Sequence, residues 1–297
     1  MIKFSRETKN FPTGRRPDIQ ELLTPAQIKA EASRLLAIGI PNDAWRVLDW
    51  LSVGGVMSVA QLELKARSLR QYAKPRLLDR LPYPIQVTAD EFGRNQLPFA
   101  DPKETQLYTL GPVGLEVIRD RHPYPPLSGN YLSYTLPRVM HDVILNEIVL
   151  RLIIYAETLG WETTWRGTNS ARLVHPESKQ EILEPDALLV FTRAEQVRAF
   201  CIEFHHNEDK QTRAEIKVKN YQAAYESGLW QAQWELDTFP AVLPVFTEKI
   251  VGTGYLNTLR ERRSDVPYLG KLLAGVLQNN LAEWANFATN EKSTILE

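Results

Sequence analysis

The chain has 297 residues, 43% of them hydrophobic and 24% charged, with a formal net charge of -1. That balance suits a folded protein with enough apolar mass for two cores. It excludes a polycation acting through its overall field, so any nucleic-acid contact must come from a local patch. The one cysteine, Cys201 in the apolar run Ala199-Phe200-Cys201-Ile202, excludes an internal disulfide or a Cys-rich zinc site and reads as a small core residue.

Residues 1–24 carry Lys3, Arg6, Lys9, Arg15 and Arg16 among few large apolar residues, which predicts a flexible tail. Met1 to Arg16 has no apolar core of a signal peptide, and no run reaches the roughly 18 apolar residues of a membrane span. No membrane is therefore expected as a partner, and the cytoplasm is the expected compartment. Thr24 with Pro25 opens a helix to about Ile38. Asn42 opens a second, with Trp45, Leu48 and Leu51 on one side and Gly54-Gly55 as its stop. Ser58 caps a short helix, with Gln61 as its capping-box partner.

A third helix is expected from about Ser68, holding Leu69, Leu77, Leu78 and Leu81, although Pro75 sits awkwardly inside it. Strands are expected at Ile85-Gln86-Val87 and at Gln106 to Leu110, around a polar loop. A further helix begins at Gly111-Pro112. Helices followed by a two-stranded wing is a winged helix-turn-helix order, so residues 25–121 are expected to form a DNA-binding domain.

Lys65, Arg67, Arg70, Lys74, Arg76 and Arg80 form the densest basic cluster, where a recognition helix would meet duplex DNA. Such side chains neutralise phosphates or pair with guanine, Gln71 could read adenine, and Arg94 in the wing would suit a phosphate. A solvated outer helix face is the plainer explanation of the same charges.

Residues 122–137 hold Pro123, Pro125, Pro126, Gly129 and Pro137 and read as a linker. Residues 138–297 then change pattern. A long helix is expected from Arg138 to Leu159. Strands follow at Trp161–Trp165, Leu183–Phe191 and Val197–Phe204, then a helix over Gln211–Ser227. A strand at Ala241–Phe246 precedes a helix from about Thr253 to Arg263 and a last helix near Leu269 to Phe287. This order predicts a mixed sheet flanked by helices, an α/β domain beside the first.

Carboxylates gather in this second part. A hairpin of the second and third strands would set Asp186 beside Glu203, and strand alternation aims Glu203 and His205 to one face. Glu203 stands in an otherwise apolar strand, where a carboxylate needs water, a partner or a metal. Glu147 lies on the preceding helix. Asp186 as a turn cap, Glu203 as an ion-paired strand residue, His205 as an ordinary loop-edge histidine, Glu147 as a solvated helix residue and Lys217 as a surface lysine are the plain alternatives. Gly252-Thr253-Gly254 lacks the spacing of a phosphate loop, and no His-Glu-x-x-His occurs.

Pro185-Asp186 followed by Glu203-Phe204-His205 resembles the PD-(D/E)XK nuclease signature, with histidine in place of the usual lysine. Together with Leu107-Tyr108-Thr109-Leu110, Gly114, Arg138, His141 and the Lys217-to-Tyr221 stretch, it resembles the replication-relaxation family over roughly residues 42–250. The resemblance implies a winged helix joined to a restriction-endonuclease-like domain. It implies Asp186 and Glu203 holding Mg²⁺ or Mn²⁺, and Glu147 assisting. His205 would act as ligand or base, and Lys217, relocated to a helix, would stabilise charge on the phosphate. The implied partners are double-stranded DNA and a replication, transfer or transposition protein. The implied activity is nicking or cleavage in plasmid or mobile-element replication or transfer, or else DNA binding on a nuclease fold that no longer cuts.

Overall fold

The computed structural model describes residues 23–62, 71–81, 107–119, 121, 136–205, 211–262 and 264–296. The tail expected over 1–24 lies almost wholly outside them, as do the strand expected at 85–87 and nearly all of the linker expected at 122–137. The chain forms two compact units, Met1–Asn146 and Glu147–Glu297.

The first unit begins with α1 (Pro25–Ile38), closed by a reciprocal capping box between Thr24 and Gln27. Helix α2 (Asn42–Gly54) buries Ala44, Val47, Leu48 and Leu51 on one stripe. It stops at Gly55, whose φ of 76° suits glycine and whose N–H bonds Leu51 O at 2.9 Å. Strand β1 (Val56–Ser58) follows. Ser58 and Gln61 then bond each other reciprocally, at 3.0 and 3.2 Å, over a turn. The Gln61 amide also donates to Val143 O at 2.8 Å.

The expected third helix is corrected by the structure. Among the described residues only 71–73 are helical, 74–76 turn, and Leu78–Arg80 is strand β2. The helical residues end at Ala73, ahead of Pro75, and Arg76 takes a left-handed φ of 58° in the turn that follows. Strand β3 (Leu107–Leu110) inserts between β1 and β2, antiparallel to both, with Val56 opposite Thr109 and Leu78 opposite Leu110. Helix α3 (Pro112–Arg119) packs close to the turn: a Cβ on Gly111 would lie 2.1 Å from Arg76 O, and one on Gly114 2.1 Å from Leu77 O. Helix α4 (Leu136–Thr158) follows, and the division between the units falls within it, after Asn146.

The second unit is built on a seven-stranded sheet ordered β12-β11-β10-β9-β8-β7-β4. Its members in chain order are β4 (Glu162–Gly167), β7 (Ala187–Arg193), β8 (Gln196–His205), β9 (Ala241–Phe246), β10 (Leu269–Leu272), β11 (Glu283–Asn286) and β12 (Lys292–Thr294). Between β4 and β7 lie the short helix α5 (Thr168–Ala171) and a separate pair, β5 (Leu173–Val174) with β6 (Glu181–Leu183). Strands β4, β7 and β8 run antiparallel, while β8, β9 and β10 run parallel. Helix α6 (Gln211–Ser227) and the short α7 (Leu229–Trp234) make the crossover from β8 to β9, and α8 (Lys249–Arg262) makes the next. Leu188, Cys201, Val218, Tyr221, Trp234, Val242 and Tyr255 share one core. The alternate residues Leu189, Phe191, Ile202, Phe204 and Val245 are buried too, which is why these strands read as unbroken apolar runs.

Two further expectations are corrected. The strand expected over Leu183–Phe191 is broken at Glu184-Pro185-Asp186 into β6 and β7, because Pro185 has no N–H for a ladder. The last helix expected near Leu269–Phe287 is instead β10, the short α9 (Leu273–Leu277) and β11. Asn279 and Asn290, both at positive φ, turn the chain there. No helix among the described residues is long and apolar enough to cross a membrane.

Candidate functional site

The β7/β8 register sets Ala187 opposite Ile202 and so brings Asp186 level with Glu203. The Phe204 N–H donates to Asp186 Oδ2 at 2.9 Å, and Thr168 Oγ1 donates to the Asp186 carbonyl at 3.0 Å. These bonds pin Asp186 where the chain leaves Pro185. Glu203 is 1% exposed, and burying a carboxylate is costly unless it is paired and hydrogen-bonded.

Helix α6 supplies both partners from one face. Lys217 Nζ lies 2.7 Å from Glu203 Oε2 and 3.0 Å from Oε1, and Tyr221 Oη donates to Oε1 at 2.6 Å. Residues four apart on a helix share a face, so Lys217 and Tyr221 reach the same carboxylate together. Lys217 Nζ also donates to the Glu184 carbonyl at 3.0 Å, while the Glu184 carboxylate accepts from Arg172 at 2.7 Å.

Burial alone would lower the Lys217 pKa, but the Glu203 and Asp186 carboxylates outweigh it and hold the ammonium above the usual lysine range. Burial pushes the Glu203 carboxyl upward against the pull of Lys217. Burial, then Glu203, push the Tyr221 hydroxyl well up, so it remains a proton donor. Burial likewise keeps Cys201 as the thiol, in line with a core role.

The structure thus brings together Asp186, Glu203 and Lys217 of the residues expected from sequence. His205 is buried on the face of Glu203, its ring stacked on Phe246 at 5.4 Å and tilted against Tyr255 at 5.0 Å. Glu147 forms an ion pair with Arg151 at 2.8 Å, and Arg151 also donates to Leu277 O and Asn279 Oδ1. Tyr221, marked in the sequence only as the end of the Lys217-to-Tyr221 stretch, is the second partner of Glu203, and its four-residue spacing from Lys217 was the available signal.

These groups test the Mg²⁺ or Mn²⁺ expected on Asp186 and Glu203. Such an ion needs oxygen donors at about 2.0–2.1 Å. A divalent ion on Glu203 would take the place of the ammonium already bonded to both its oxygens. Among the described residues, no three or more His, Cys, Asp or Glu side chains are grouped to hold a metal. Among the described residues, the cation beside Glu203 is the Lys217 ammonium.

In the first unit, Gln71, Lys74 and Arg80 are exposed. Arg76 is 13% exposed and forms a bidentate pair with the buried Asp79, closing the turn before β2. Lys65, Arg67, Arg70 and Arg94 lie outside the described residues.

Among known proteins, the family model described as replication-relaxation matches residues 48–239. Neither the curated proteins nor the solved structures yield a match.

Proposed function

The chain belongs to the replication-relaxation family, which points to a role in plasmid or mobile-element replication or transfer, and from that premise we propose that it binds duplex DNA through its first unit. The carrying observation is strand order. Helix α2, β1, the capped turn, the helical residues 71–73, β2 and β3, with β3 between β1 and β2, support a winged helix. In that reading Gln71, Lys74 and Arg80 lie on or beside the recognition element.

The sequence α4, β4, β7, β8, α6, β9 supports a restriction-endonuclease-like second unit. Glu203 of its acid pair is bonded by Lys217 and Tyr221, which favours a scaffold for DNA or a replication, transfer or transposition protein over a cutting centre.

Fluorescence anisotropy with labelled duplex across about 50 to 200 mM salt tests this reading. Binding is expected to weaken steeply with salt. Lys74→Ala with Arg80→Ala is expected to weaken it further and to lower the slope by roughly 1 per lost phosphate contact. Absent or salt-insensitive binding would refute the proposal. Supercoiled-plasmid nicking with Mg²⁺ or Mn²⁺, lost in both Asp186→Ala and Glu203→Ala, would replace the scaffold by a nuclease.

A further inference from the structure

We infer that a cleft on the outer face of α2 holds an unpaired nucleotide, so that the DNA bound by the first unit is a duplex with a single-stranded extension. Helix α2 meets the core through Ala44, Val47, Leu48 and Leu51. On its other side stand Trp45 and Trp50, both half-buried, and the exposed Arg46. With Asn42, Asp49 and Arg121 they line a cleft of about 480 Å³, within the range of about 300–1,000 Å³ usual for ligand sites. Packing of α2 does not call for two indoles on this side. Tryptophan and arginine concentrate on surfaces that a partner covers.

Each indole is matched with a guanidinium. Arg46 Cζ lies 4.5 Å from the centroid of the Trp50 ring, and Arg121 Cζ lies 4.6 Å from that of Trp45. Arg121 also reaches Asp49 Oδ2 at 3.6 Å. A guanidinium backed by an indole has a plane on which a base stacks and edge N–H groups that donate to phosphate. Aromatic rings and cations side by side in one groove are the combination by which proteins hold unpaired strands.

Continuity with the recognition element selects DNA over a protein segment as the occupant. Asp43, in the first turn of α2, accepts a hydrogen bond from Tyr72 Oη at 3.0 Å. Asp43 and Trp50 are seven residues apart and so lie on one side of the helix. The cleft therefore adjoins the stretch that carries Gln71 and Lys74.

This inference rests on the duplex-binding reading of the first unit. The test is fluorescence anisotropy of the full chain with a labelled blunt duplex, with the same duplex extended at its 5′ or 3′ end by about ten thymidines, and with the free oligothymidine. One extended duplex is expected to bind at least about tenfold more tightly than the blunt one. Trp50→Leu is expected to cut that advantage to under about threefold and to leave blunt-duplex affinity unchanged. Lys74→Ala with Arg80→Ala is expected to weaken both DNAs alike. If Trp50→Leu does not fold, Arg46→Met with Arg121→Met, both at exposed positions, carries the comparison.

Equal binding of blunt and extended duplex would overturn the inference and leave the cleft to a protein segment. An advantage that survives in the folded variants would overturn it too, as would no binding of any DNA. Oligothymidine binding that is lost in the variants, with no binding of blunt duplex, would uphold the cleft and refute only the duplex reading.

Discussion

Replacing Lys217 by Met keeps most of the buried stem and deletes the charge, so it isolates the ammonium. Breaking a buried ion pair typically costs about 3–5 kcal/mol, because the remaining charge is left without compensation. Glu203 has a cheaper escape, which is to take up a proton. With an ordinary glutamate value of 4.5, that escape caps the electrostatic loss at about 3.4 kcal/mol at pH 7 and about 0.7 kcal/mol at pH 5. The sign follows from linkage. In the variant, burial raises the folded-state pKa of Glu203 above its unfolded value. The stability held by the protonated form is then fully present below pH 4.5 and lost as pH rises through the raised value. Urea denaturation of wild type and Lys217→Met at both pH values, with chelator present, reads the effect. The variant is expected to lose about 3 kcal/mol at pH 7 and under about 1 kcal/mol at pH 5. A loss that is equal at the two pH values, or below about 1 kcal/mol at pH 7, would refute the reasoning.

Tyr221→Phe deletes one hydrogen bond to the same carboxylate and is expected to cost about 1.5–3 kcal/mol in the same denaturation assay. Gly114→Ala would set a Cβ 2.1 Å from Leu77 O, which is backbone and yields poorly. It is expected to destabilise the first unit by about 2–3 kcal/mol, read by thermal unfolding. Gly39→Ala, whose Cβ would meet nothing within 4 Å, is the control and is expected to cost only about 1–2 kcal/mol for its positive φ. The Tyr72 hydroxyl, pushed up to about 12 by burial and its hydrogen bond to Asp43, is expected to ionise late in an ultraviolet difference titration. Its contribution to stability is whole below pH 10 and lost as pH rises towards about 12, and Tyr72→Phe removes that dependence.

Long periodic elements were legible because one interaction dominates each of them. Helix α6 and strand β9 fall where apolar spacing puts them, at Gln211–Ser227 and Ala241–Phe246. The short elements were not, because three or four residues fit either period. Leu77, Leu78 and Leu81 are spaced as a helix would space them, yet β3 pulls Leu78–Arg80 into its ladder. The residues that tell are Pro75, and Arg76 whose guanidinium folds onto Asp79 to close a left-handed turn. At the C-terminal end, Leu273, Val276, Leu277 and Trp284 mimic a helical stripe. The turn signal there lies in the asparagines at 279 and 290, and Gly270 lets the Phe287 ring close over β10, its Cζ 2.1 Å from where a Cβ would stand.

At the acidic site, residue types were legible but the wiring was not. Pattern alone set Asp186 beside Glu203, since a hairpin register follows from two apolar strands and a short turn. Where the cation sits depends on the α6 crossover, which no local spacing fixes. In the motif that this stretch resembles, the lysine stands two residues past the acid on the same strand, about 6–7 Å along it. This chain has His205 at that position, held in an aromatic wall by Phe246 and Tyr255. Lys217 comes instead from the helix packed over the sheet, descends onto Glu203 from above, and brings Tyr221 with it one turn later. Position 205 therefore holds an imidazole walled by aromatic rings, and the ammonium that pairs with Glu203 arrives from α6 instead.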